Sequence, residues 1–243
     1  MAVLAGCSAS VMPEIHNENE RLATAQRMID RGQLAEASDL LRGYILRNAG
    51  TAQVDGAILM LGQTLLKQKT WLEAEEQFEK LLKDYPESDS AGSASYLLGE
   101  ALMGQSRPKD FDQQYTTRAV FQWHEYLRLF PGHWRNPQAL GKLQGAENQL
   151  ARKLVDTGDL YIQLRQFEPA KVYYRRVLEE YPTSLPSADA EYGLAVLQGR
   201  QGDVPGAIVL LRDLEQRFPG RPIARRAAST RENMEHWQAE KQR

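Results

Sequence analysis

A skeleton that occurs five times constrains this chain more than any other feature. An Ala is followed by one large apolar residue four positions later and another at seven. It reads Ala37, Leu41, Tyr44; Ala74, Phe78, Leu81; Ala119, Trp123, Tyr126; Ala170, Tyr174, Val177; and Ala207, Leu211, Leu214. The last four copies close with an aromatic at eleven and a proline at twelve: Tyr85-Pro86, Phe130-Pro131, Tyr181-Pro182 and Phe218-Pro219. The first has Asn48-Ala49 there instead. Offsets of four and seven place side chains on one face of an α-helix. The proline lacks an N–H and restricts the residue before it, so each helix is expected to stop at the aromatic. An Ala inside an otherwise bulky stripe implies close approach by a neighbouring helix, where a larger side chain would overpack at about 1–3 kcal/mol.

A partner helix is expected upstream of each Ala, carrying a small residue twelve positions earlier in four copies: Ala25, Gly62, Gly158 and Ala195. In the third copy the equivalent is Gly99, twenty earlier. Turns such as Arg31-Gly32-Gln33 and Gln201-Gly202-Asp203 would join the two helices, with Gly available for the C-cap. This helix–turn–helix pattern resembles the tetratricopeptide family over roughly residues 20–220. The resemblance implies an all-α fold, a superhelix of five helix pairs with a C-terminal capping helix. The Ala positions are 37, 45, 51 and 37 residues apart, against about 34 in that family, so copies three and four carry insertions. The first falls at Gln105–Phe111, a loop. The second lengthens a helix running from about Pro137 to Leu164. From Pro222 onward, Ala224, Ala227, Ala228, Arg231, Met234 and Trp237 suggest the cap, whose outer face should be polar.

Composition narrows the function classes. With 42% hydrophobic residues the chain should fold, and 30 Lys+Arg against 32 Asp+Glu give a net charge of −2, so no global field draws it to nucleic acid. No run reaches the roughly 18 apolar residues a membrane span needs. His16, His124, His133 and His236 have no partners at metal-ligand spacing, and neither a phosphate loop nor a nucleophile elbow is present. Neither metal, cofactor nor catalysis is therefore expected. His124 is expected to be half-buried, and Glu75-Glu76 and Glu179-Glu180 to be solvated. Arg221, Arg225 and Arg226 form the basic cluster, with Arg231 nearby; it reads as a docking surface for a protein partner or as a solvated helix.

The lone cysteine, Cys7, excludes an internal disulfide. It stands in Leu4-Ala5-Gly6-Cys7-Ser8, which resembles the bacterial lipobox, although an ordinary cysteine in a frayed terminus is the plain alternative. Only Met1-Ala2-Val3 precedes the box, too little for a secretory leader, so the lipid-anchor reading assumes a truncation upstream.

Two blocks sharpen the family. Tyr85-Pro86-Glu87-Ser88 leading to Ala94-Ser95-Tyr96-Leu97-Leu98-Gly99-Glu100 is similar to repeats of Gram-negative envelope proteins. The block with Asp112, Gln113, Tyr115 and Thr116 before Ala119, followed by Leu150-Ala151 and Tyr161, resembles the BamD (ComL) lipoproteins of the outer-membrane β-barrel assembly machinery. The resemblance implies a lipid anchor at Cys7 with a tether through residue 19. It also implies client-binding repeats over 20–132 and docking repeats with the cap over 133–243. The expected partners are unfolded β-barrel clients, the periplasmic domain of the barrel-forming subunit and other assembly lipoproteins, on the periplasmic face of the outer membrane. The family's groove positions fall on Gln26 and Asp30; Leu59, Gln63 and Lys67; and Tyr96, Glu100 and Met103. Another envelope adaptor of the same repeats is the alternative, serving peptidoglycan synthesis or polysaccharide secretion. A cytosolic chaperone-docking scaffold would need a basic groove, and these positions carry one Lys and two acids.

Overall fold

The computed structural model describes residues 18–51 and 53–241. Eleven α-helices account for nearly all of them, and no strand occurs among the described residues: α1 Glu18–Asp30, α2 Leu34–Arg47, α3 Val54–Gln68, α4 Trp71–Asp84, α5 Ala91–Gly104, α6 Gln114–Leu129, α7 Asn136–Gln163, α8 Phe167–Glu180, α9 Ser187–Arg200, α10 Val204–Arg217 and α11 Pro222–Lys241. The chain divides into two compact units between Gly104 and Gln105. In the first, α1 to α5 each pack on the next; in the second, α6 to α11 do the same. The fold class is the expected one, all-α and built of tetratricopeptide-type helix pairs.

The skeleton accounts for the core. All five Ala residues are 0% exposed, and the residues at four and seven are buried in every copy, Trp123, Tyr126 and Phe78 completely. Each closing aromatic is the C-cap of its helix, its N–H reaching back four residues, as from Tyr85 to Leu81 and from Tyr181 to Val177. The small residues upstream make room for the large ones. A Cβ on Gly62 would lie 2.5 Å from the Phe78 ring, and Gly158 and Gly193 flank the Tyr174 ring in the same way, at 2.6 and 2.5 Å. Tyr174 donates its hydroxyl to Asp159 at 2.5 Å. Burial, and then that hydrogen bond, pushes its pKa far above the ordinary phenol value.

The turns inside the pairs share one further element. The residue five before each Ala is left-handed in copies one, two, four and five: Gly32 (φ 76°), Lys69 (φ 62°), Arg165 (φ 57°) and Gly202 (φ 105°). Two copies thus place a long cationic side chain where the conformation favours glycine.

The long helix α7 is continuous over 28 residues, within one residue of expectation at each end. Helix α11 packs on α10 and α9 through Ile223, Ala224 and Ala227. Two expectations fail. His124 is exposed, its Nε2 lying 3.2 Å from Glu147; on α6 the buried stripe runs through Trp123, and the next residue turns outward. Glu75 is buried beside Ala74, because α4 packs against both α3 and α5 and so buries a wider face than its stripe indicates.

Candidate functional site

The expected groove residues all fall on the first helices of the first unit. On α1, Gln26 and Asp30 are exposed and joined to each other, Nε2 donating to Oδ1 at 2.8 Å. On α3, Leu59 and Gln63 are half-buried and Lys67 is exposed, one turn apart in succession. On α5, Glu100 and Met103 are half-buried, but Tyr96 is only 3% exposed. Its ring belongs to the core, and its hydroxyl donates to Glu100 Oε1 at 2.9 Å. Helix α5 is apolar on most sides, with Ala91, Ala94, Leu97, Leu98 and Leu102 buried too, so periodicity alone does not distinguish its groove face from its core face.

The block Asp112, Gln113 and Thr116 forms a polar knot. Gln113 is buried, and its Nε2 donates to the carbonyls of Arg107, Pro108 and Phe111 at 3.0–3.2 Å, gathering the loop that follows α5. Its Oε1 accepts from Thr116 Oγ1 at 3.0 Å and from Gln149 Nε2, on α7, at 2.6 Å. Asp112 accepts from the N–H of Gln114 at 3.1 Å, in the turn that starts α6. Outside the knot, Lys109 pairs with Asp156 and Lys153 donates to the carbonyl of Phe111. The loop is therefore fixed to α7. It presents Phe111, 47% exposed, under the Arg107 guanidinium 4.2 Å away.

In the second unit, Arg221 and Arg226 line a cleft of about 530 Å³, whereas Arg225 is exposed outside it. The cleft adds two arginines that sequence spacing does not connect to them, Arg152 on α7 and Arg217 on α10. Asp189 lies between Arg152, at 2.6 Å, and Arg226, at 3.0 Å. Aromatic rings sit among these cations: Arg226 lies 4.5 Å from the Tyr192 ring centre, and Arg217 and Arg221 lie 5.3 and 5.9 Å from that of Phe218.

Among the described residues, no group of three His, Cys, Asp or Glu is placed to hold a metal, and no helix is long and apolar enough to cross a membrane. Cys7 and the tether through residue 17 lie outside the described residues; α1 begins at Glu18.

The family model described as outer membrane lipoprotein, YfiO, matches residues 16–199, from α1 through almost all of α9. The chain belongs to this outer membrane lipoprotein family. A tetratricopeptide repeat model matches residues 189–220, the pair α9–α10, overlapping the end of that match and running past it. The outer membrane protein assembly factor BamD of Caulobacter vibrioides is 24% identical over 198 residues, 79% of this chain. The chain spans 65% of the length of that curated relative. Among solved structures, the TPR2AB domain of yeast Sti1 in complex with pHSP90 is 13% identical, with 88% of this chain and 82% of that one covered and a TM-score of 0.48. A tetratricopeptide repeat protein from Parabacteroides merdae is 17% identical, with 92% and 75% covered and a TM-score of 0.40. At that looseness of fit neither says anything about a ligand.

Proposed function

We propose that this chain is a non-catalytic, lipid-anchored adaptor of outer-membrane β-barrel protein assembly, facing the periplasm. The observation that carries the reading is the family match across residues 16–199, supported by the relative whose name is outer membrane protein assembly factor. In this reading the first helices α1, α3 and α5 receive unfolded barrel clients, and residues 133–243 dock the periplasmic domain of the barrel-forming subunit and neighbouring lipoproteins. Helix-pair stacks offer extended surfaces suited to such segments. Acylation of Cys7 by more than one chain would hold the adaptor at the membrane, since a single chain binds only marginally.

The test is an affinity pull-down from envelope membranes of the native organism with the full chain as bait. Recovery of the barrel-forming subunit supports the reading; recovery of peptidoglycan-synthesis or polysaccharide-secretion proteins in its place refutes it. Client binding is probed with Lys67→Glu and Gln63→Ala together, because Tyr96 is buried and its truncation would disturb the core. Unchanged affinity for an unfolded barrel fragment would remove the groove assignment.

A further inference from the structure

The four turns that follow an aromatic–proline pair are built alike, and one is left incomplete. In each, the N–H of the fourth residue donates to the carbonyl of the aromatic: Ser88 to Tyr85, His133 to Phe130, Ser184 to Tyr181 and Arg221 to Phe218, all at 3.1 Å. In the second copy the Ser88 hydroxyl donates to the Asp55 carboxylate and accepts from the N–H of Ser90 at 2.9 Å. In the third, His133 Nδ1 takes the Tyr126 hydroxyl at 2.7 Å and the N–H of Arg135 at 3.3 Å. In the fourth, Ser184 is 4% exposed and its Oγ has no hydrogen-bond partner.

The sequence explains both missing partners. Pro186 stands where Ser90 and Arg135 stand and has no N–H to give. Counting from Gly62 and Gly158, Ala151 stands where Asp55 accepts. A buried hydroxyl left unpaired is destabilising, so a group that completes it from outside is favoured.

Ser184 lines the cleft in the second unit. Four guanidinium groups, of Arg152, Arg217, Arg221 and Arg226, face two carboxylates there, of Asp189 and Glu191. Arg152 and Arg226 share Asp189, and Arg217 pairs with Glu191. Arg221 forms no ion pair among the described residues and rests by the Phe218 ring. Leu185, Phe218 and Ile223 supply apolar walls, beside the polar side chains of Thr183 and Ser187. Uncommitted positive charge, an apolar wall and an unfilled hydroxyl thus meet in a space large enough for a few residues.

We propose that this cleft binds an acidic peptide segment of a protein partner. A carboxylate of the segment pairs with Arg221 and the exposed side of Arg226, an apolar neighbour lies along Phe218 and Leu185, and the Ser184 hydroxyl bonds to the segment's backbone. Asp189 and Glu191 disfavour a doubly charged phosphate more than a single carboxylate, and the apolar walls suit side chains rather than a headgroup. The proposal rests on the docking half of the proposed function and gives that partner its chemistry. Arg217, Arg221 and Arg226 all lie beyond the residues that the outer membrane lipoprotein model matches.

The test uses the full chain and a fluorescein-labelled, C-terminally amidated peptide in which Asp and Glu alternate with Leu and Phe, read by anisotropy. Its Asn/Gln counterpart is expected to bind at least about tenfold more weakly, and Arg221→Glu to weaken the acidic peptide about tenfold or more. Arg225→Glu makes the same charge change outside the cleft and is expected to stay within about twofold. Ser184→Ala is expected to weaken binding about three- to tenfold while the melting temperature holds or rises, because the hydroxyl it removes was unpaired. Equal binding of the two peptides overturns the proposal, as do equal losses from Arg221→Glu and Arg225→Glu, or a lower melting temperature for Ser184→Ala. Displacement of the peptide by phosphatidylglycerol vesicles or millimolar inorganic phosphate overturns it too and reassigns the cleft. The pull-down above reads the adaptor role separately: its failure removes that role, whereas failure of the peptide assay alone removes only this site.

Discussion

Gly158→Ala and Gly145→Ala add the same methyl group to the same helix and are expected to move stability in opposite directions. At Gly158 the new Cβ would stand 2.6, 2.9 and 3.0 Å from Cε1, Cδ1 and Cζ of Tyr174, inside any real contact distance. The ring has little room to move aside, because the Gly193 backbone also lies close against it, so close that an ideal Cβ there would fall 2.5–2.8 Å from Cζ, Cε2 and Cε1, and its hydroxyl is tied to Asp159. Overpacking costs about 1–3 kcal/mol, and with the ring closely confined the cost here falls in the upper part of that range, about 2–3; replacing a helical Gly by Ala returns about 1, leaving a net loss of roughly 1–2 kcal/mol. Gly145 is exposed with nothing within 4 Å of its Cβ site, so there only the helix gain of about 0.5–1 kcal/mol remains. For a domain of this size that is a fall of about 2–8 °C for the first variant and a rise of about 1–4 °C for the second, by far-UV circular dichroism. Placing Gly158→Ala in a Tyr174→Leu background should shrink its cost, since the atoms it strikes are gone. A Gly158→Ala chain that melts at or above the parent temperature would refute the packing argument.

The left-handed cations offer an opposite gain: Lys69→Gly and Arg165→Gly should each raise the urea midpoint by an amount worth a few tenths to about 1 kcal/mol, because glycine reaches φ near +60° without strain but loses more entropy on folding. Gln113→Ala should cost about 1–3 kcal/mol by leaving Thr116 and Gln149 short of an acceptor, and hydrogen exchange should show lost protection at residues 107–112. His133 gives a pH dependence. Its Nδ1 accepts the Arg135 N–H, and burial, then Arg135, holds its pKa below the ordinary histidine value. The unfolded chain therefore takes up that proton first. This contribution to stability is complete above about pH 6.5 and declines as the pH falls from there toward the folded value. Urea midpoints across that window should fall less in His133→Phe than in the parent.

The helix pairs were legible because one stripe of residues encodes two things at once. Ala170, Tyr174 and Val177 mark the buried face, and Tyr181-Pro182 marks where the helix ends, all within a dozen positions. The knot was not legible, since Gln113 and Gln149 stand 36 residues apart and nothing in local spacing joins a loop amide to a helix amide. Nor was the cleft, where Arg152 meets Arg226 through Asp189. Tyr96 shows the limit of a position transferred from family resemblance. It lies in a helix buried on most sides, and how a second neighbour covers that helix depends on packing that a single helix's periodicity does not record. Glu75 is buried for the same reason, α4 being covered by both α3 and α5.

The helices that pack substantially on one another are neighbours in sequence or next but one, as α7 with α8 or α9 with α11. No strand needs to wait for a distant partner, so the entropy of closing long loops is largely avoided. Structure can nucleate in one pair and grow outward a helix at a time. For a chain that emerges end first, from a ribosome or through a narrow pore, each completed pair is already a template for the next, and the stretch of apolar surface waiting for cover stays about one helix long.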